Sequence, residues 1–346
     1  MSNMIHTTGR LTRATTVLTI LGMTLTACGG GAAASAGVML PIAPVVSNTG
    51  QITEYMIPTS GAFPYSITKG ADGNLWFTEG GGDAIGRITS TDTISEYAIP
   101  TGSSSPEGIT LGSDGNLYFA ESQGNKIGKI LPNGTITETA LTTANAWPYN
   151  TAEGADGAIW FSENRANNIS RFNVQTDTIT EYPIPTATSG PRGLALGPDG
   201  NVWFVEEAAS KIGKITPSGA ITEYTIPANS GIGAGPERIA AGPDGNMWFT
   251  QHSDNEIAKI TMTGTIVEYP IPTANSAPTG ISIGPDGNMW FTECLGNKVG
   301  RITPNGVITE YPIPTPNSQP EVISEGPDGN LWFVESTGNK IAEITP

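Results

Sequence analysis

Pro278-Thr-Gly-Ile-Ser-Ile-Gly-Pro-Asp-Gly-Asn-Met-Trp-Phe-Thr-Glu293, continued by Asn297-Lys-Val-Gly-Arg-Ile302, Pro304-Asn-Gly306 and Val307-Ile-Thr-Glu-Tyr-Pro-Ile-Pro314, is one copy of a recurring unit. Asp-Gly and Asn-Gly between short alternating apolar runs are strong hairpin signals. The unit therefore divides at its turns into four strands. The Trp-Phe pair returns at Trp76, Trp160, Trp203, Trp248, Trp290 and Trp332, with Tyr118 in the Trp place once, at steps of 42, 42, 43, 45, 42 and 42 residues. Asp-Gly precedes each at a fixed interval, from Asp72 to Asp328. Four strands per 40 to 45 residues is the period of a propeller blade, and seven copies predict an all-β, seven-bladed β-propeller of four-stranded antiparallel blades. A parallel β-solenoid has shorter rungs and no hairpin turns, so it fits less well.

The array predicts its own closure. It begins with Gln51-Ile-Thr-Glu-Tyr55, a fourth strand without its first three, and ends with Ile341-Ala-Glu-Ile-Thr-Pro346, a third strand without its fourth. The strand at residues 51–55 is expected to complete the last blade, which removes free sheet edges.

Residues 1–27 read as a lipoprotein signal peptide: Arg10 and Arg13, a short apolar run from Val17 to Leu25, then Leu25-Thr-Ala-Cys28. That apolar run is too short to span a bilayer. The expectation is cleavage before Cys28 and lipidation of Cys28, with residues 28–50 as a flexible tether and residues 51–346 as the propeller. The body would then sit exported and lipid-anchored at the bacterial cell envelope, at the outer membrane or cell surface. Only Cys294 remains besides Cys28, so no intrachain disulfide framework is available. A formal net charge of −16 with no basic cluster in the mature part argues against nucleic acid as a partner. The membrane is expected to be met through the lipid anchor only, and the body to be a monomer.

Seven copies in one chain permit an internal comparison. Fixed positions serve the scaffold: Trp-Phe packs between blades, Asp-Gly makes turns, and a Gly after the first-strand proline permits close approach of strands. The position directly after that proline varies: Tyr65, Glu107, Tyr149, Arg192, Glu237, Thr279 and Glu321. In a propeller this is the start of the innermost strand, at the mouth of the central channel, where ligand-bearing residues belong. Such a set would grip a small molecule, peptide or glycan. Glu107, Glu237 and Glu321 are also the candidate ligands for a hard cation such as Ca2+. The bland alternative is a solvated position that drifts freely.

A second ring, Glu79, Glu121, Glu163, Glu206, Glu293 and Glu335, ends the second strands, with Gln251 in blade five. Its expected role is structural, accepting backbone N–H bonds from the following loop. Blade five is also the longest copy, through Gly231-Ile-Gly-Ala-Gly235, and it carries His252, the one His left after processing. Cys294 occupies the matching place in blade six, but a His–Cys nucleophilic pair would have to bridge two blades.

The runs Ile-Thr-Glu-Tyr-Pro-Ile-Pro, Gly-Pro-Asp-Gly-Asn-x-Trp-Phe-Thr-Glu and Gly-Asn-Lys-x-Gly-Arg-Ile-Thr resemble the virginiamycin B lyase (streptogramin lyase) family over residues 51–346. That resemblance implies a seven-bladed propeller, a role in antibiotic resistance, and a C–O lyase that opens a cyclic depsipeptide ester by Mg2+-aided elimination. The family's histidines follow the first-strand proline in the last two blades, with a Glu two residues before the final one. Here those places hold Thr279, Glu321 and Gln319. Elimination needs a base beside a carbonyl, for which neutral imidazole is suited. Thr cannot serve unaided, and Glu321 would serve only with its pKa raised by burial. Two readings stay open. One is an envelope-anchored binding propeller using Tyr65, Glu107, Tyr149, Arg192, Glu237, Thr279, Gln319 and Glu321. The other is a lyase of the family type, or a metal-dependent hydrolase, with Glu321, Glu237 or His252 as the catalytic base.

Overall fold

Every predicted hairpin forms. In the computed structural model, residues 49–227 and 233–346 are described, and they hold 28 strands in seven four-stranded antiparallel sheets. The signal segment, Cys28 and nearly all of the tether lie outside the described residues, as do 231–232 of the blade-five insert. Each first strand packs against the next around a closed cycle, and the seventh returns to the first. That cycle is a propeller whose first strands wall a central channel.

The closing strand, β1 (Ile52–Met56), pairs antiparallel with β28 (Lys340–Ile344), from Ile52 opposite Ile344 to Met56 opposite Lys340. Glu54 accepts from Lys340 Nζ at 2.6 Å, and from the backbone N–H and hydroxyl of Thr315, each at 2.9 Å. Tyr55 stacks on Trp332 with ring centroids 5.4 Å apart and donates to Glu343 at 2.7 Å. The expected closure is present, with the strand shifted one residue toward the C-terminus of the span that the sequence pattern indicated.

The repeated residues explain the blades. Each Trp indole N–H donates to the Asp of its own turn, as Trp203 does to Asp199 at 3.0 Å and Trp248 to Asp244 at 2.9 Å. Tyr118, the one replacement, reaches Asp114 with its hydroxyl at 2.8 Å. A buried indole thus keeps a hydrogen-bond partner while its ring packs in an apolar layer. The core lies between blades. One such layer joins Trp76, Ile85 and Ile99 to Ile109, Leu117 and Phe119 of the next blade. Among the described residues there are seven such clusters.

Close approach of first strands is real where Gly follows the mouth residue. A Cβ on Gly193 would sit 2.7 Å from the Arg238 Cα, and one on Gly280 would run into the Glu321 carbonyl.

The second ring does not act as expected. Glu79, Glu121, Glu206, Glu293 and Glu335 are fully buried, and each faces a fourth-strand carboxyl: Glu96, Glu138, Glu223, Glu310 and Glu54 in turn. No loop N–H reaches either oxygen of Glu79 or Glu121. The loops are held instead by fourth-strand Glu, as Thr101 N–H to Glu138 at 3.0 Å, and by Asn at the strand ends, as Ser318 N–H to Asn297 at 2.8 Å.

Candidate functional site

The first strands deliver the seven variable residues to one end of the channel, and two devices set their positions. In blades one, three, five and six a second-strand hydroxyl donates to the backbone carbonyl of the next blade's mouth residue. These bonds run Thr78 to Glu107 at 2.7 Å, Ser162 to Arg192 at 2.6 Å, Thr250 to Thr279 at 2.8 Å and Thr292 to Glu321 at 2.5 Å. Ala120, Val205 and Val334 stand where the other hydroxyls would be. The mouth residues that follow those three, Tyr149, Glu237 and Tyr65, are joined to one another through their side chains instead.

The Tyr65 and Tyr149 hydroxyls are hydrogen-bonded across the channel. Tyr149 donates to Glu237 Oε1 at 2.9 Å. Arg192 Nη1 meets Glu237 Oε2 at 2.5 Å, and its Nε reaches Glu207 at 3.0 Å. The Arg192 guanidinium also lies 5.2 Å from the Tyr149 ring centroid. Four blades therefore meet in one hydrogen-bonded chain over the channel. Burial holds both tyrosines well above the usual phenol range, so they stay protonated donors.

Glu107 accepts from Ser122 at 3.4 Å, and burial pushes its carboxyl up to about 7 against the pull of Arg238. Burial, with Glu237 adding to it, pushes Glu321 up to about 8. The Cys294 thiol points to Glu321 at 3.8 Å, and burial beside that carboxyl raises it to about 12. A thiol so placed is no nucleophile at neutral pH. Thr279 is buried, its hydroxyl 2.9 Å from that of Thr292 and 3.1 Å from the Pro320 carbonyl, so scaffold bonds occupy it.

Sequence reasoning missed Arg238. It follows Glu237 where other blades carry Gly108, Gly193 or Gly280. Its side chain is 6% exposed, and its guanidinium lies 5.1 and 5.3 Å from the Tyr65 and Tyr149 ring centroids. A single arginine at a position that is uncharged in the other six copies was the signal available.

Three other expectations are placed as follows. His252 is exposed, its backbone N–H bonded to the Gly235 carbonyl at 3.0 Å, and its imidazole hydrogen-bonds none of the mouth groups. Gln319 is half-buried at φ 51°, one of seven residues before the first-strand prolines that all take positive φ, Phe63 at 45° and Trp147 at 58° among them. Such backbone is uncommon outside glycine and aims these side chains away from the strand path. Glu107, Glu237 and Glu321 are not grouped closely enough to share a cation among the described residues. With Arg192 and Arg238 in the same mouth, this donor set does not fit Mg2+ or Ca2+.

The arrangement is a seven-bladed propeller with a polar, internally bonded mouth over its channel. The virginiamycin B lyase family model matches residues 42–176 and 151–346, and the chain belongs to that family. A streptogramin B lyase structure is similar at 36% identity and TM-score 0.81, over 85% of this chain and 97% of that one. A catalytically inactive histidine-to-alanine variant of virginiamycin B lyase from Staphylococcus aureus, with quinupristin, is similar at 36% identity and TM-score 0.81, over 86% and 99%. Kuenenia stuttgartiensis hydrazine synthase, at 15% identity and TM-score 0.67 over 84% of this chain and 97% of that one, shares the fold.

Proposed function

We propose that the protein is an envelope-tethered propeller, lipidated at Cys28, that binds a small polar molecule, peptide or glycan at its channel mouth. The observation that carries this reading is the Tyr65–Tyr149–Glu237–Arg192 chain, drawn from four blades and held by its own hydrogen bonds. Preorganised donors and acceptors lower the ordering cost of binding. The Arg192 ion pair and the scaffold bonds of Thr279 leave neither Glu237 nor Thr279 free as a base. The inferred partner is a ligand rather than nucleic acid, and the body acts as a monomer.

A second reading rests on Glu321 alone. It stands at the place of a family histidine with its carboxyl pushed up to about 8, near the operating range of a general base. On that reading the chain is a C–O lyase in which Glu321 takes the proton beside the carbonyl. Incubation with a streptogramin B followed by mass spectrometry separates the two. An unchanged mass at high protein concentration supports binding. A linearised product that disappears in Glu321→Gln overturns it in favour of the lyase.

A further inference from the structure

Below the mouth, the first strands of six blades line a half-open cavity of about 140 Å³. Ile67, Ile109, Ile281 and Ile323 wall it, and Ser66, Asn150 and Arg238 bring polar groups to it. Ser66 Oγ already accepts from the Ile109 N–H at 3.4 Å, and Asn150 Oδ1 from the Thr151 N–H at 2.8 Å. What these two side chains have left to offer is their hydrogen-donating side.

Arg238 is the unexplained charge. Among the described residues it has no ion pair, and its buried Nη2 finds no acceptor. A guanidinium so buried is costly unless something pairs with it. The three nearby carboxyls are engaged elsewhere: Glu237 by Arg192 and Tyr149, Glu107 by Ser122, Glu321 by the Cys294 thiol. Glu237 and Glu321 act on Arg238 from beyond ion-pair distance and keep it protonated, so it carries its charge with no hydrogen-bonded counter-ion on Nη2.

We propose that this cavity is a binding site for a small aliphatic monocarboxylate, with Arg238 as its counter-ion. The planar guanidinium matches a carboxylate fork, the isoleucines suit a short alkyl tail, and Ser66 and Asn150 donate to the remaining lone pairs. A phosphate would have no use for the isoleucine walls. This site lies directly below the mouth and shares Arg238 with it, since the same guanidinium packs on the Tyr65 and Tyr149 rings.

The test is titration of the full chain with sodium propionate and butyrate, followed by calorimetry and by the thermal midpoint. Sodium chloride, inorganic phosphate and propionamide are run at matched ionic strength. The expected result is saturable binding of the carboxylates with a raised midpoint, as for any ligand of the folded state. Chloride, phosphate and the neutral amide should leave the midpoint unmoved. Arg238→Met should weaken propionate about tenfold to a hundredfold, the range of a lost charged hydrogen bond. The propionamide comparison needs no variant, so it stands even if Arg238→Met folds poorly. Equal effects of propionamide, chloride or phosphate, or no saturable binding of propionate, would overturn the proposal. Streptogramin B probes the mouth separately, so either result is free to fail alone.

Discussion

Five second-strand glutamates, each buried against a fourth-strand carboxyl, meet a natural control in blade five. There Gln251 stands in the same place and donates from Nε2 to Glu268 at 3.0 Å. An amide is the isostere of a protonated carboxyl, so the other blades hold their buried Glu as the neutral acid, donating to the same neighbour. Burial, with the facing carboxylate, pushes Glu79 and Glu121 from 4.5 up to about 8. A folded-state pKa above the unfolded one means that folding takes up a proton. The stability from these groups is therefore full below about pH 4.5 and falls as pH rises to about 8. Glu79→Gln and Glu121→Gln should flatten that fall, each gaining on the order of 2 kcal/mol relative to the parent at pH 9 and little at pH 4. Urea unfolding at both pH values measures it, and equal effects at both would refute the acid-pair account. Blade three differs: Glu163 accepts from Ser170 at 2.7 Å and Asn168 at 3.0 Å, donors the other blades lack. The sequence displayed the ring of Glu but not its partners, because a constant Glu on the fourth strand reads equally well as a solvated face. Arg238 was hidden for a related reason. One substitution in a position that holds Ser, Gly, Asn or Val in the other blades carries no period to notice.

At the scale of elements, strand boundaries were legible because turn chemistry and apolar alternation agreed in every copy. The closing strand was legible from a count: one fourth strand too many at the start, one too few at the end. Its pairing to β28 carries the same Trp–Tyr stack and Glu–Lys contact that internal blades carry. Glu54→Ala with Tyr55→Ala should therefore cost at least as much stability as Glu223→Ala with Tyr224→Ala, about 3 to 5 kcal/mol for each pair. Chemical unfolding of both variants checks this. A near-zero cost at Glu54 and Tyr55 would mean that the ring is not latched there.

The whole molecule keeps the family frame and changes the mouth. The ring after the first-strand prolines was legible as variable residues on a rigid scaffold, and the structure brings all seven to one end of the channel. How they are wired was not legible, since the Tyr65–Tyr149–Glu237–Arg192 chain joins blades far apart in sequence. The central claim is that this mouth binds rather than cleaves, because the places of the family's base hold Thr279 and Glu321. The most direct measurement compares the native chain with the Thr279→His, Gln319→Glu, Glu321→His triple variant, each incubated with a streptogramin B and followed by mass spectrometry. The account predicts intact antibiotic from the native chain and linearised product from the triple variant. Linearised product from the native chain would contradict it.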